Sequence, residues 1–523
     1  MTAEPEASRR PRRRAPAAAG QPGPRGWPGR GRGRSTFVQA ADEWRGTTTQ
    51  VCGLWPFAAG TGSPMVGVPF GLNLLSGATV CADPVSWFQS ARLISTPILF
   101  ALARPGLGKS TSIMRMMLGL AGYGVLPLVL GDLRPDYVEG IRALGGQVIR
   151  LGRDRGHLNI LDPGEATAAA ARLTGTARVE VLADARTRIT ANLSGLITIS
   201  RAAPPSDREE TILDRAMRVL ADRHGGVPVL PDLLQVIRDA PDVVRQVALD
   251  RGRLDRYHDL TEDLEATLVG LISGGRFGDI FSRPTSNPMR RDRPVVFDVS
   301  SIDDGQDDLQ AAVLLSCWSY GFGAVKVANA LADAGLEPRR HYFVVLDELW
   351  RALRAGRGMV DRVDALTRIN RKLGVGVAMI SHTMSDLEAL PHEEDRMKAR
   401  GFVERAGMVL CGGLPAAEMP ALTSVVPLSR AEQNMLISWT DPPAWDPDTG
   451  TEADPPGRGN FLIKVGGRPG IPVHVELTAV ERDLRLSDTN RLWHDVSRIG
   501  QVTDPPPVDG PDDAGGAGGQ DPG

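Results

Sequence analysis

Leu99-Phe100-Ala101-Leu102-Ala103-Arg104-Pro105-Gly106-Leu107-Gly108-Lys109-Ser110-Thr111 is the end of a strand, a tight turn and the start of a helix. The apolar run from Ile98 to Ala103 supplies the strand, and apolar positions at Ile113, Met117 and Leu120 give the following segment one greasy helical face. A phosphate-binding loop needs this order: the strand delivers the turn, small residues let backbone N–H groups approach an anion, and the helix adds the positive end of its dipole. The usual pattern is G-x-x-x-x-G-K-S/T; here Ala103 stands at the first glycine, and the remaining G-L-G-K-S-T is intact. Pro105, Gly106, Leu107, Gly108, Lys109, Ser110 and Thr111 are therefore expected to hold the phosphates of ATP, with Lys109 on the terminal ones and Ser110 on Mg2+. Only five lysines stand against 55 arginines, yet one of the five is at 109.

Outward from the loop, Leu126-Pro127-Leu128-Val129-Leu130-Gly131-Asp132 reads as a second buried strand and Gln147-Val148-Ile149-Arg150-Leu151 as a third, with a short helix between them. Alternation of strand and helix predicts a parallel sheet with crossover helices. Before the loop, residues 36–94 are rich in Gly, Pro and short apolar runs, which predicts a β-rich lead-in beside the nucleotide site. Residues 165–282 carry helical spacing, as in Thr211 to Leu220, and predict a helical insertion. Sheet pattern returns at Pro294 to Val299, and the segment from about Asp307 to Ala334, apolar nearly all round, predicts a buried helix.

His341-Tyr342-Phe343-Val344-Val345-Leu346-Asp347-Glu348-Leu349-Trp350 is an apolar run ending in two carboxylates. A strand of this kind delivers Asp and Glu to its C-terminal tip, where open α/β sheets bind ligands. Asp347 is placed to hold magnesium through water and Glu348 to take a proton from the attacking water; the same pair also suits an acidic helix N-terminus. Gly374 to Thr383 predicts the next strand, lying beside the loop strand, with His382 either sensing the γ-phosphate or simply ending the strand. Ala406 to Cys411 predicts one more strand, and Phe461 to Val465 with Ile471 to Leu477 a hairpin.

Composition narrows the class. With 42% hydrophobic and 24% charged residues, the 523-residue chain is ordinary for a globular protein. Cys52, Cys81, Cys317 and Cys411 are far apart, which argues against a zinc site or disulfide framework and for a reducing cytoplasm. Residues 1–35 hold nine Arg and two Glu, and residues 496–523 hold one Arg and five Asp; both lack core-forming composition and are expected to be a disordered basic arm and a disordered acidic tail. The mildly acidic body between them argues against a broad DNA-coating surface. Arg9-Arg10 and Arg12-Arg13-Arg14 lack the apolar core of an export signal, and no stretch approaches the roughly 18 to 20 consecutive apolar residues of a membrane span.

Taken together these pieces resemble the ATPases of conjugation and type IV secretion machines, the TraC-like, VirB-type branch of the FtsK/HerA P-loop superfamily. Beyond the loop and the Asp347-Glu348 strand, the resemblance rests on Gly131-Asp132-Leu133-Arg134-Pro135-Asp136-Tyr137, Leu158-Asn159-Ile160-Leu161-Asp162-Pro163, Phe281-Ser282-Arg283-Pro284-Thr285, Val296-Phe297-Asp298-Val299-Ser300 and Arg371-Lys372, and spans about residues 47–492. It implies an α/β fold: a P-loop NTPase, RecA-like with a largely parallel sheet, formed by residues 95–164 and 283–492 and interrupted by the helical subdomain. It also implies a cytoplasmic homo-hexamer at the inner face of the membrane, coupled to channel subunits, with nucleotide between subunits and Arg371 reaching across from the neighbour. Two departures stand out: the family usually has Gln where this chain has His382, and members carry a large domain before the lead-in. The second leaves docking to another subunit or to the arm, whose charge also suits DNA or anionic lipid. The expected function is a motor for DNA or protein transfer; the alternatives are a DNA-pumping coupling protein and, because of Ala103 and His382, a nucleotide-binding scaffold without turnover.

Overall fold

A sheet of eleven strands carries the molecule, in the order β2-β1-β13-β12-β9-β3-β8-β7-β4-β6-β5. In the computed structural model, which describes residues 64–484 apart from 154, 273–276, 356–357, 368–372, 444, 447–450 and 453–454, the strands are β1 Pro69–Asn73, β2 Thr79–Cys81, β3 Ile98–Leu102, β4 Val125–Asp132, β5 Gln147–Arg150, β6 Val295–Asp298, β7 His341–Leu346, β8 Val375–Ser381, β9 Met408–Cys411, β12 Asn460–Lys464 and β13 Ile471–Val475, while β10 Trp445–Asp446 and β11 Thr451–Glu452 form a separate ladder. The seven strands from β9 to β5 pair in parallel. The central strands are continuous apolar runs because both faces are covered: every residue of β8, and all but the first of β3 and β7, is buried, whereas the edge strand β5 is only partly buried and exposes Arg150.

Register decides where the chemistry goes. Leu102 pairs with Ser381 across β3 and β8, and Leu346 with Met379 across β7 and β8, so these three strands end together. The loop after β3, the acidic pair after β7 and His382 after β8 therefore share one edge of the sheet.

Alternation along each strand feeds two apolar layers. Leu99, Ala101 and Val129 face the loop helix Lys109–Gly122, through Ile113, Met116, Met117 and Leu120. Phe100, Leu102, Leu128 and Leu130 face the opposite layer, whose centre is the helix Asp307–Asp333. By length and hydropathy that helix meets the requirements of a membrane span, but 89% of its apolar window is buried inside the fold, and it is a core helix. Glycines let it approach β4: a Cβ on Gly321 would lie 2.4 Å from a methyl of Leu130, and one on Gly131 would lie 2.3 Å from a methyl of Leu314.

Six helices lie between Ala166 and Ile272. Leu193, Leu196, Ile212, Leu233, Leu264 and Leu268 from this stretch belong to the same apolar cluster as the long core helix, so the helices from Gly175 onward share the core of the sheet, while the first, Ala166–Arg172, packs in a small cluster with Ala185, Val327 and Leu331. The described part of the lead-in contributes β1 and β2, which do not stand apart as a small sheet. They extend the main sheet antiparallel through β13 and β12, the expected hairpin, to β9. The arm 1–35, residues 36–63 of the lead-in, Arg371 and the tail 496–523 lie outside the described residues.

The β1–β13 pairing depends on Gly71, where a Cβ would fall 1.9 Å from the carbonyl oxygen of His474. Gly71→Ala should therefore destabilise the fold by about 1–3 kcal/mol, in the range of overpacking substitutions. Gly122→Ala, at the end of the loop helix with open space around it, should be neutral or stabilising by a few tenths to about 1 kcal/mol. Thermal unfolding of the two variants checks this: equal melting temperatures would contradict it.

Candidate active site

The loop is tied down at its start and its end. Gly412 N–H donates to Leu102 O at 2.8 Å, Arg104 N–H donates to Gly413 O at 3.2 Å, and Gly459 N–H donates to Leu107 O at 3.1 Å. Leu107 points its side chain into the core, so its contribution to an anion site is its backbone; Pro105 and Gly106 are exposed. Gly106 at φ 83° and Gly108 at φ 93° adopt the left-handed conformations that open the turn, and Gly108 caps the helix that begins at Lys109. Ala103, in the place of the usual first glycine, is fully buried. Its methyl is accommodated by a glycine on the neighbouring segment, since a Cβ on Gly412 would lie 2.6 Å from the Cβ of Ala103.

Lys109 is 8% exposed. Its Nζ donates to Ala103 O at 2.7 Å and to Nδ1 of His382 at 2.5 Å. Burial pushes its pKa down, and the charges of Asp347 and Glu348 push it back up. Because the ammonium can only donate, Nδ1 of His382 accepts, and the imidazole carries its proton on Nε2, which lies 3.3 Å from Oε2 of Glu348.

β7 ends at Leu346 and hands over both carboxylates. Asp347 accepts from the backbone N–H of Glu348 at 2.8 Å on Oδ1 and from the hydroxyl of Tyr137 at 2.9 Å on Oδ2. Burial and the adjacent Glu348 charge raise its pKa. Glu348 does occupy the N-cap position of the helix Leu349–Arg354, yet its side chain makes no capping bond there. It sits at φ 50°, ψ 40°, a left-handed conformation that costs a residue with a Cβ about 1 kcal/mol, and its carboxylate turns to Nε1 of Trp350 at 2.6 Å and to His382. Burial opposes its charge, but the His382 and Trp350 bonds prevail and hold its pKa low.

Three participants lie in the quoted stretch 131–137, to which the residues alone assigned no role in the site. Asp136 hydrogen-bonds the hydroxyl of Ser110, and burial raises its pKa. Asp132, 2% exposed at the end of β4, accepts from the backbone N–H groups of Tyr137 and Asp136 at 2.9 and 3.2 Å and so fixes the turn that carries them. Tyr137 is fully buried, and burial with three carboxylates nearby raises its pKa, keeping its hydroxyl protonated as the donor to Asp347. The segment 131–137 stood out only as a stretch; that it folds over the loop depends on β4 lying beside β7. Lys109, Ser110, Asp347, Glu348 and His382 are thus brought together, Thr111 follows half-buried on the helix, and Arg371 lies outside the described residues. Among the described residues no three His, Cys, Asp or Glu side chains close on one cation-sized point, so a divalent ion at Ser110 and Asp347 would draw most of its ligands from water and phosphate, as Mg2+ commonly does.

The Asp347 carboxyl, raised to about 6, lies above its unfolded value, so its contribution to stability is fully present below about pH 4 and lost as pH rises through about 6. Asp347→Asn should accordingly stabilise the chain at pH 8 by on the order of 1 kcal/mol, and the gain should vanish near pH 4. Thermal melts at both pH values test this; the same difference at each would contradict it.

No family model and no curated protein matches the sequence. Among solved structures, VirB4 of Thermoanaerobacter pseudethanolicus is similar to this chain at 18% identity and a TM-score of 0.58, over 81% of this chain and 100% of the other. The plasmid coupling protein TrwB in complex with ADP and Mg2+ is more distant, at 12% identity and a TM-score of 0.45 over 73% of this chain and 85% of the other. Over four fifths of its length, then, this chain has the fold of that VirB4, an α/β fold built on a largely parallel sheet.

Proposed function

We propose that the protein is an ATP-hydrolysing motor of a conjugation or type IV secretion machine, powering transfer of DNA or protein across the cell envelope. The observation that carries this reading is the convergence of Lys109, Ser110, Asp347 and Glu348 at the ends of β3 and β7, within the fold of VirB4. A buried ammonium at the mouth of a helix N-terminus, with two left-handed glycines opening the backbone beside it, suits the terminal phosphates of ATP. Ser110 and, through water, Asp347 would hold Mg2+, whose bound charge offsets that of the phosphates. Tyr137 and the Glu348 N–H fix both oxygens of Asp347, so its orientation is set before any ligand arrives. Glu348 is the residue placed to accept the proton of the attacking water. His382, donating to Glu348 and accepting from Lys109, links the phosphate end of the site to the base. The methyl of Ala103 is met by Gly412, which favours a working loop over a scaffold without turnover.

The rest of the proposal follows the resemblance. The motor works as a homo-hexamer at the cytoplasmic face of the membrane, docked on channel subunits, with Arg371 supplying positive charge to the neighbouring subunit's site and the basic arm binding DNA or anionic lipid.

The purified protein should hydrolyse ATP. Lys109→Ala should lose turnover and most nucleotide affinity, because the loop loses its point charge, whereas Glu348→Gln should keep affinity while turnover falls roughly 10²-fold or more. Turnover assays with equilibrium binding of a fluorescent ATP analogue separate the two effects. An analogue bound equally by Lys109→Ala and the wild type would remove the nucleotide site from Lys109.

A further inference from the structure

The two carboxylate oxygens of Glu348 are not equivalent. Trp350 Nε1 at 2.6 Å and His382 Nε2 at 3.3 Å both meet Oε2, and among the described residues no donor takes Oε1. Side chains two apart on a helix do not ordinarily face each other. Here they do because the left-handed backbone of Glu348 folds its side chain back over the first turn of the helix Leu349–Arg354.

The indole that makes this contact is itself clamped. The guanidinium groups of Arg351 and Arg354 lie 4.8 and 4.6 Å from its ring centroid. Each arginine has its own anchor: Arg351 donates to Gln310 at 2.6 Å and pairs with Asp304 and Asp307, and Arg354 reaches Asp386 at 3.5 Å. Two cations on an aromatic ring hold it through its π face and leave the N–H as its one polar handle. That handle is spent on Glu348.

The second tether differs in kind. His382 can donate to Oε2 as a neutral ring only while Nδ1 is the accepting nitrogen, and that nitrogen is engaged by Lys109. Any anion that draws Lys109 away changes what His382 sees, whereas Trp350 meets Lys109 only indirectly, through the His382 ring whose centroid lies 6.4 Å from its own, and is held in place by its two arginines.

Building on the ATPase reading, we propose that Trp350 is the positioning residue of the general base: it holds Glu348 by Oε2 throughout the cycle and presents Oε1 to water, while His382 is a second tether that answers to Lys109. The titratable groups that bear on Glu348 are Lys109 from the loop helix, His382 from the end of β8, Asp347 from β7 and Asp136 from the segment after β4.

Trp350→Phe keeps an aromatic ring between the two arginines while removing the N–H donor. Its kcat should fall roughly 10-fold or more, as expected for losing a hydrogen bond to a charged group, with KM for ATP unchanged. A second measurement needs no turnover. In protein labelled with 15N-tryptophan, the Trp350 indole N–H resonance, identified by its absence from Trp350→Phe, should lie downfield and shift upfield in Glu348→Ala. A Trp350→Phe variant with wild-type kcat would overturn the proposal. A wild type without ATP turnover would sink the ATPase reading alone, and the resonance would then decide: an indole signal indifferent to Glu348→Ala would abolish the tether itself.

Discussion

The ammonium of Lys109 is the constraint on which the site depends. Buried at the start of the loop helix, it finds a backbone carbonyl and one imidazole nitrogen within hydrogen-bonding reach, and draws the rest of its stabilisation from carboxylates. A desolvated cation is costly unless it is paired and bonded, so the strands around it must end where they deliver partners. β7 delivers Asp347 and Glu348, β8 delivers His382, and β4 delivers Asp132 with the turn that carries Asp136.

Close packing around the loop is achieved by placing glycines opposite side chains. Gly412 makes room for Ala103, Gly413 for Leu107, and Gly321 for Leu130. In each case the missing Cβ would fall under 3 Å from its neighbour, a distance that interiors packed at crystal density do not allow. Ala103 is thus no isolated defect of a phosphate-binding motif. The smallness that the motif usually provides within the loop is provided here across the sheet.

The helix that follows Glu348 ties the site to the body of the molecule. Arg351 reaches Gln310, Asp304 and Asp307 at the start of the long core helix, and that helix packs against both the sheet and the helix Gly175–Arg201. Since the helices from Gly175 onward share one apolar core with the sheet, a rearrangement at Glu348 meets a contiguous packed structure rather than a loosely attached lobe.

Much of this was legible in the sequence, because local physics writes it there. Continuous apolar runs announced β3, β4, β7 and β8 as doubly covered strands, the order strand, Gly-rich turn and helix announced the anion site, and the acidic end of His341 to Trp350 placed two carboxylates at a strand tip. The pairing of β3 with β8 was also readable, but the remaining order was not: that β13 carries β1 and β2 onto the main sheet follows from pairings between residues some 400 positions apart, such as Gly71 with Val475. The same holds within the site. Asp136 on Ser110, Tyr137 on Asp347 and Trp350 on Glu348 follow no spacing rule, since they arise from strand register and from one left-handed residue. Sequence alone determined which residue types stand in the Gly-rich turn and at the strand tip, since these follow from residue order and local conformation. Only the tertiary structure decided which donors hold Asp347 and Glu348 in place, because a hydrogen bond needs its partners within about 3 Å, and only the packed sheet sets distances on that scale.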